Sequence, residues 1–246
     1  METLGQFLFK YRNLLFPVII IALVTLFSPH LALGDIRGDI SFDLLGVTVM
    51  LAGLALRATV IGYVYIRRGG VNKQVYADNL VTEGIFSLCR NPLYVGNLLM
   101  VFGFLFVFHN PWTYIIGAAV AFLAYKAIVT AEESFLLNKF GAGYETYCKE
   151  VPRWSFRLSG MRGKLAGHSF SWSRVLLKDY STAYATVLTI LGMLIYERIA
   201  LQEYVYSSVE FIIFSVIFLA ATTAFLIVYF LKKRRILTNH GLATSR

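Results

Sequence analysis

Long apolar runs separated by short polar segments dominate the chain. Six of them approach the ~20 residues that a helix needs to cross a bilayer. They are residues 14–33, 44–66, 94–108, 111–129, 183–201 and 209–231. The third run is the shortest, and the second contains Arg57. The pattern predicts an all-α polytopic membrane protein with about six transmembrane helices.

Small residues and helix-stop signals refine this picture. Gly96 and Gly103 are seven residues apart, so they share one helix face and allow a neighbouring helix to approach closely. After residue 129 the pattern becomes amphipathic, and Gly141 is a suitable helix stop. We expect a short helix carrying Tyr144 and Tyr147 to follow it.

The order of the runs predicts three regions. Residues 1–154 form a core of four spans with their cytoplasmic motifs. Residues 155–182 are basic and contain Ser and Gly, which is typical of a cytoplasmic linker. Residues 183–246 form an appended two-span hairpin with a basic tail.

The net charge is +9, and the basic residues are distributed unequally between the two sides of the predicted membrane protein. If the N-terminus is cytoplasmic, nearly all basic residues fall on the cytoplasmic side, and Arg37 is almost alone outside. The cytoplasmic set comprises Lys10, Arg12, Arg67, Arg68, Lys73, Arg90, Lys139, Lys149, Arg153, Arg157, Arg162, Lys164, Arg174, Lys178 and residues 232–235. This predicts both termini in the cytoplasm and a membrane protein rather than one that binds nucleic acid. Residues 232–235 are expected to contact anionic lipid.

Cysteine and histidine positions predict no metal site. Cys89 and Cys148 both fall on the reducing cytoplasmic side, and His30, His109, His168 and His240 are scattered without metal-ligand spacing. The first apolar run is too long for a cleavable signal peptide, so we expect it to remain in the protein.

Two polar blocks, residues 80–96 and 132–153, flank the third and fourth runs. Polar residues concentrated at one membrane face are where a membrane enzyme keeps its chemistry, so we expect a catalytic region at the cytoplasmic face. The segment from Gly141 to Thr146 begins like a dinucleotide-binding loop but lacks the third glycine and follows a helix. No P-loop, nucleophile elbow or zinc-protease motif occurs either.

Three charged residues in the spans and blocks leave alternatives open. Arg57 either faces a protein interior or cavity, or extends towards the cytoplasmic edge. Glu132 and Glu133 point about 100° apart on a helix, so they do not form an acid–base pair. One of them can face a ligand ammonium while the other faces solvent or caps the site.

The two blocks together carry a longer pattern. It reads Leu-Val-Thr-x-Gly-(x5)-Arg-Asn-Pro-x-Tyr-x-Gly from residue 80, and Glu-Glu-x-x-Leu-(x3)-Phe-Gly-x-x-Tyr-x-x-Tyr-x-x-x-Val-Pro-Arg from residue 132. This arrangement resembles the isoprenylcysteine carboxyl methyltransferase and phospholipid methyltransferase superfamily over roughly residues 44–153. The resemblance implies a polytopic methyltransferase that uses S-adenosylmethionine, bound at the cytoplasmic membrane face between the two blocks and a helical hairpin.

The resemblance also implies site residues. Asp78, Asn79, Leu80 and Val81 correspond to a first cofactor-contacting stretch, Asn91, Pro92, Leu93 and Tyr94 to a second, and Glu132 to an acidic cofactor contact. A histidine common in the family is replaced at Asp78 and again at Asn91, and a common tyrosine is Phe86. An arginine that the isoprenylcysteine branch uses for its substrate carboxylate is Ile128 here, which argues against that mode of substrate recognition.

Catalytic roles are predicted for Arg90, Tyr94 and Glu132. Glu132 pairs with the cofactor ammonium, Tyr94 and Tyr144 face the sulfonium, and Arg90 orients the acceptor or the cofactor carboxylate. The alternative roles are purely structural: Arg90 forms hydrogen bonds at a helix start, and Tyr144 and Tyr147 pack at the membrane interface.

The sequence thus predicts methyl transfer from S-adenosylmethionine to a lipid or small lipophilic acceptor. The acceptor atom is oxygen, nitrogen or sulfur, and the membrane is a bacterial inner membrane or the endoplasmic reticulum. The alternatives are an NADPH-dependent membrane reductase of sterol-reductase-like architecture and a non-catalytic scaffold or transporter. The sequence sets no oligomeric state.

Overall fold

The computed structural model describes residues 1–64, 75–165, 168–201 and 208–234. Within these ranges the secondary structure is helical, which confirms the all-α prediction. The helices are α1 (Glu2–Leu26), α2 (Ile36–Tyr63), α3 (Pro92–Phe108), α4 (Pro111–Phe140), α5 (Ala142–Glu150), α6 (Met161–Leu165), α7 (Trp172–Leu201) and α8 (Ser208–Lys233). Arg67, Arg68, Lys73, Arg235 and His240, which the charge and metal predictions used, lie outside the described residues.

Five described helices are long and apolar enough to cross a membrane: α1, α2, α4, α7 and α8. Helix α3 has 17 residues, or about 25 Å at ~1.5 Å per residue, slightly less than a ~30 Å hydrocarbon core. The count of five long helices and one shorter apolar helix agrees with the predicted number of spans.

Local signals set most helix boundaries. The Asp35 carboxylate accepts from the backbone N–H of Gly38 at the start of α2, and the Asn110 side chain accepts from Trp112 and Thr113 at the start of α4. Gly141, with φ of +52°, ends α4 as predicted, and α5 follows it with Tyr144 and Tyr147.

Four predicted boundaries differ from the structure. Helix α2 begins at Ile36 rather than at residue 44, because Asp35 caps it there. Helix α1 spans Glu2–Leu26 rather than residues 14–33, because the polar first turns continue the helix and Pro29 disfavours helical backbone before it. Helix α4 continues unbroken from its apolar run through the amphipathic stretch to Phe140. Helix α7 begins at Trp172, inside the segment expected to be a linker.

Glycines allow α2 and α3 to cross closely. A Cβ added to Gly53 would lie 2.5 Å from the Gly96 carbonyl oxygen, and one added to Gly46 would lie 2.7 Å from that of Gly103. Each helix therefore supplies two glycines seven residues apart, as predicted for α3. Helix α7 packs against both helices through Ile190 and Met193, whereas α8 contacts α7.

Candidate functional site

A cavity of about 980 Å³ lies among α1, α3, α4 and α7. Every predicted site residue lines it: Asp78, Asn79, Leu80, Val81, Arg90, Asn91, Pro92, Leu93, Tyr94 and Glu132. These side chains lie towards the end where α3 begins, while apolar residues such as Ile20, Leu23 and Phe104 line the part between the helices. The cavity thus has a polar end and an apolar interior.

Backbone hydrogen bonds join the first polar block to the second block and to the segment after it. The Arg90 N–H donates to the Pro152 carbonyl at 2.9 Å, and the Arg157 N–H donates to the Leu88 carbonyl at 2.9 Å. The Tyr147 hydroxyl adds a bond of 2.7 Å to the Phe86 carbonyl. Segments far apart in sequence therefore form one wall of the cavity.

The first predicted stretch forms the cavity rim. Asp78 and Asn79 are exposed, and the Tyr76 hydroxyl donates to Asp78 Oδ1 at 2.7 Å. Lys139 of α4 donates to the Ala77 carbonyl, which fixes this segment against the helix end.

Glu132 and Tyr94 meet across the cavity wall. The Tyr94 hydroxyl donates to Glu132 Oε1 at 2.7 Å, and an Arg12 guanidinium N–H donates to the same hydroxyl at 3.3 Å. Arg12 lines the cavity from α1, a contribution that the sequence motifs do not contain. Tyr94 thus links Arg12 of α1 to Glu132 of α4 at the cavity wall.

Glu133 faces a different group of residues. Its carboxylate lies 2.6 Å from the Arg153 guanidinium and 3.6 Å from that of Arg90, and accepts from the Asn91 amide at 3.3 Å. The two adjacent acids therefore diverge as predicted, but Glu133 pairs with these side chains instead of facing solvent. Its role is to hold the start of α3 against the segment after α5.

The Arg90 guanidinium takes part in the ion-pair network around Glu133. Burial alone would lower the pKa of Arg90, but the neighbouring Glu133 carboxylate raises it, so the guanidinium stays charged. Its side chain also contacts Cys148 Sγ, while Arg90 Nε is buried without a hydrogen-bond partner among the described residues. The rest of the guanidinium lines the cavity beside this network.

One thiol and two phenols at this wall, those of Cys89, Tyr144 and Tyr147, stay neutral. Burial raises the pKa of Cys89 to about 11, and burial also raises the pKa values of Tyr144 and Tyr147 above their usual range. No thiolate or phenolate is expected among them near neutral pH. Their environment suits binding and orientation of a ligand rather than nucleophilic attack.

Arg57 faces the protein interior, which decides between the two alternatives. It is 4% exposed, lines the cavity, and forms an ion pair of 2.5 Å with Asp179 of α7. Asn97 and Thr182 also accept hydrogen bonds from it. The sequence analysis missed Asp179 because it assigned this polar turn to a linker. The spacing of Asp179, Thr182 and Thr186 along one helix face was the signal that would have found it.

Residues 43–143 match the phospholipid methyltransferase family. The chain is similar to the cobalt-zinc-cadmium resistance protein CzcN of Cupriavidus metallidurans, with 36% identity over 35% of this chain and 40% of that protein. It is also similar to protein-S-isoprenylcysteine O-methyltransferase of Schizosaccharomyces pombe, with 34% identity over 30% of this chain and 31% of that protein. For protein-S-isoprenylcysteine O-methyltransferase B of Arabidopsis thaliana the identity is 30%, over 44% of this chain and 55% of that protein.

The matched segments thus span from about a third to just over half of these relatives. No solved structure matches the chain. The family match covers all of α3 and α4, most of α2, and both predicted cofactor stretches. Through this segment, the chain is similar to phospholipid methyltransferases and to isoprenylcysteine O-methyltransferases.

Proposed function

We propose that this protein transfers a methyl group from S-adenosylmethionine to a lipid or other lipophilic acceptor at the cytoplasmic membrane face. The observation that carries the proposal is the cavity, because it joins the polar residues of both family motifs to an apolar interior. Its volume lies at the upper end of the ~300–1,000 Å³ usual for ligand pockets, so it can hold a nucleoside-sized cofactor beside an acceptor.

The polar end fits the charged groups of the cofactor. Glu132 offers a carboxylate to the ammonium group, and the Arg90 guanidinium offers a positive charge to the carboxylate. Asn91 and the rim segment 78–81 are placed to contact the remaining polar atoms. Tyr94 and Tyr144 present aromatic rings to the same space, which suits a cationic sulfur.

S-adenosylmethionine supplies a methyl group that its sulfonium already activates. The chain therefore needs chiefly to hold the acceptor atom in line and to exclude water, and such orientation is worth effective molarities of about 10⁵ M or more. The network around Glu133 fixes the start of α3, and with it Asn91 and Tyr94. Tyr94 in turn holds the Glu132 carboxylate in one orientation.

The apolar interior sets the acceptor class. Side chains of α1 and α3 line it, which suits a hydrocarbon chain that enters from the bilayer while the cofactor enters from the cytoplasm. Ile128 is fully buried among Phe9 and Tyr125, so that position offers no positive charge to a substrate carboxylate. Arg57 lies in the cavity wall, but Asp179 neutralises it. Neither position 128 nor Arg57 therefore offers a free positive charge to an acceptor carboxylate.

The decisive experiment measures S-adenosylmethionine binding to the purified protein in detergent. Glu132→Gln keeps the shape of the side chain and removes its charge, so we expect binding to weaken about tenfold or more, since a hydrogen bond to a charged group contributes ~1.5–3 kcal/mol. Glu145→Gln changes an exposed acid of α5 and serves as the matched control.

Transfer of a radiolabelled methyl group to a native lipid extract then tests catalysis. Folded wild-type protein that binds NADPH instead of S-adenosylmethionine would support the reductase alternative. Binding of neither ligand would leave a scaffold or transporter role.

A further inference from the structure

A second group of polar side chains lies at the opposite ends of the helices. Asp39 of α2, His109 between α3 and α4, and Glu197 of α7 bring one donor atom each within 4.8 Å of one another. All three are buried, with exposed fractions of 0%, 5% and 0%. Pro92 at the polar cavity end and His109 are separated by the length of α3, about 25 Å, so this cluster is distinct from the cavity's polar end.

His109 Nε2 has no internal partner. It is buried and makes no hydrogen bond within the described residues. The buried Glu197 carboxyl group has only another carboxyl group, that of Asp43, as its side-chain neighbour for hydrogen bonding. A buried polar atom without a partner costs ~1–3 kcal/mol, and more when it is charged. A bound cation would use both the free His109 nitrogen and the carboxylate oxygens.

The surroundings orient these side chains as metal ligands are usually oriented. His109 Nδ1 lies 2.9 Å from the Tyr114 hydroxyl; when Nδ1–H donates to that oxygen, the lone pair of Nε2 is left free. The Ala32 N–H donates to Asp39 Oδ1 at 3.2 Å, which restrains the Asp39 carboxylate. His109 also adopts a left-handed backbone with φ of +44°, a conformation that is uncommon outside glycine and clusters at functional sites.

Asp43 adds a third carboxyl group at this point. It lies one helical turn after Asp39, is 5% exposed, and has its carboxyl group beside that of Glu197. Carboxylates packed this closely in a buried environment repel one another when they ionise. A divalent cation among them offsets that repulsion and uses the free His109 Nε2.

We propose that Asp39, His109 and Glu197 bind a divalent transition-metal cation such as Zn²⁺, Mn²⁺ or Co²⁺, with Asp43 beside them. One imidazole and two carboxylates suit this class of ion. The three proposed ligands are far apart in the sequence and form no recognisable metal-binding motif. For this reason the positions of the histidines predicted no metal site. The ion would join α2, α3 and α7 at the end that the charge pattern assigns to the outside. This inference does not depend on methyl transfer.

The test uses the full-length protein in detergent, stripped with a chelator and re-equilibrated with Zn²⁺. We expect about one tightly bound Zn²⁺ per chain by elemental analysis. We further expect at least a tenfold loss of affinity in both His109→Asn and Glu197→Gln. Asparagine tolerates left-handed backbone, so His109→Asn removes the ligand with little strain. His30→Asn, which changes an exposed histidine at the same end, should bind like the wild type.

A measurement on the wild type alone keeps the proposal falsifiable if a variant fails to fold. Co²⁺ bound by nitrogen and oxygen ligands in the interior should give visible absorption bands that stoichiometric Zn²⁺ removes. The proposal fails if the folded wild type retains none of the three metals. It also fails if His109→Asn and Glu197→Gln, both folded, bind Zn²⁺ as well as the wild type does. Two carboxylic acids that share a proton would then explain the cluster.

Discussion

Replacing Asp179 with asparagine tests whether the Arg57–Asp179 ion pair holds α7 against the rest of the protein. The two side chains are 5% and 3% exposed, and they form contacts of 2.5 and 3.2 Å between α2 and α7. Asp179→Asn leaves the Arg57 guanidinium buried without a counter-charge. Loss of one partner of a buried pair costs ~3–5 kcal/mol, and an arginine at the centre of a membrane helix costs ~2.5–3.5 kcal/mol on insertion scales. Because Asn97 and Thr182 remain as hydrogen-bond acceptors, we expect the lower end, about 3 kcal/mol.

Thermal unfolding in detergent measures this effect. A loss of about 3 kcal/mol corresponds to a fall in Tm of about 6–12 °C for a chain of this size. The double variant Arg57→Met/Asp179→Leu removes both charges and should recover most of the loss, because apolar replacement of a whole buried pair is often neutral. Ser173→Ala, at an exposed position of α7, is the control. An unchanged Tm in Asp179→Asn would refute the reasoning, and so would a double variant as unstable as the single one.

Two further predictions concern packing and thiol chemistry. Gly53→Leu should lower Tm, because its Cβ would lie 2.5 Å from the Gly96 carbonyl oxygen and such overpacking costs ~1–3 kcal/mol. Gly192→Ala is the control and should not lower Tm, because its Cβ meets nothing within 4 Å. Equal Tm values for the two variants would contradict the close crossing of α2 and α3. Cys89 should resist maleimide in the folded protein at pH 7–8 and react faster only as the pH approaches its pKa of about 11, because the thiolate is the reactive form. Mass spectrometry on Cys148→Ala isolates its reaction, and rapid modification of folded Cys148→Ala at pH 7 would contradict the burial of this thiol.

The linear sequence predicted much of the architecture because bilayer physics acts on it directly. A run of about 20 apolar residues must become a helix, since lipid offers no partner for backbone N–H and C=O groups. Local signals such as Asn110 and Gly141 then set helix ends through their own side-chain or backbone chemistry. The contiguous motifs around Arg90 and Glu132 pointed to the same cavity wall, because each motif is a single segment that folds as a unit.

Contacts between distant segments were decided only by the tertiary structure. Asp179 looked like part of a polar linker until α7 placed it against Arg57, and Arg12 lay outside every motif until α1 brought it to Tyr94. His109 and Glu197 are 88 positions apart, yet they meet at one buried point. Apolar periodicity specifies which residues are helical, but the pairing of helices depends on shape and charge complementarity between faces. That complementarity exists only once the helices have packed.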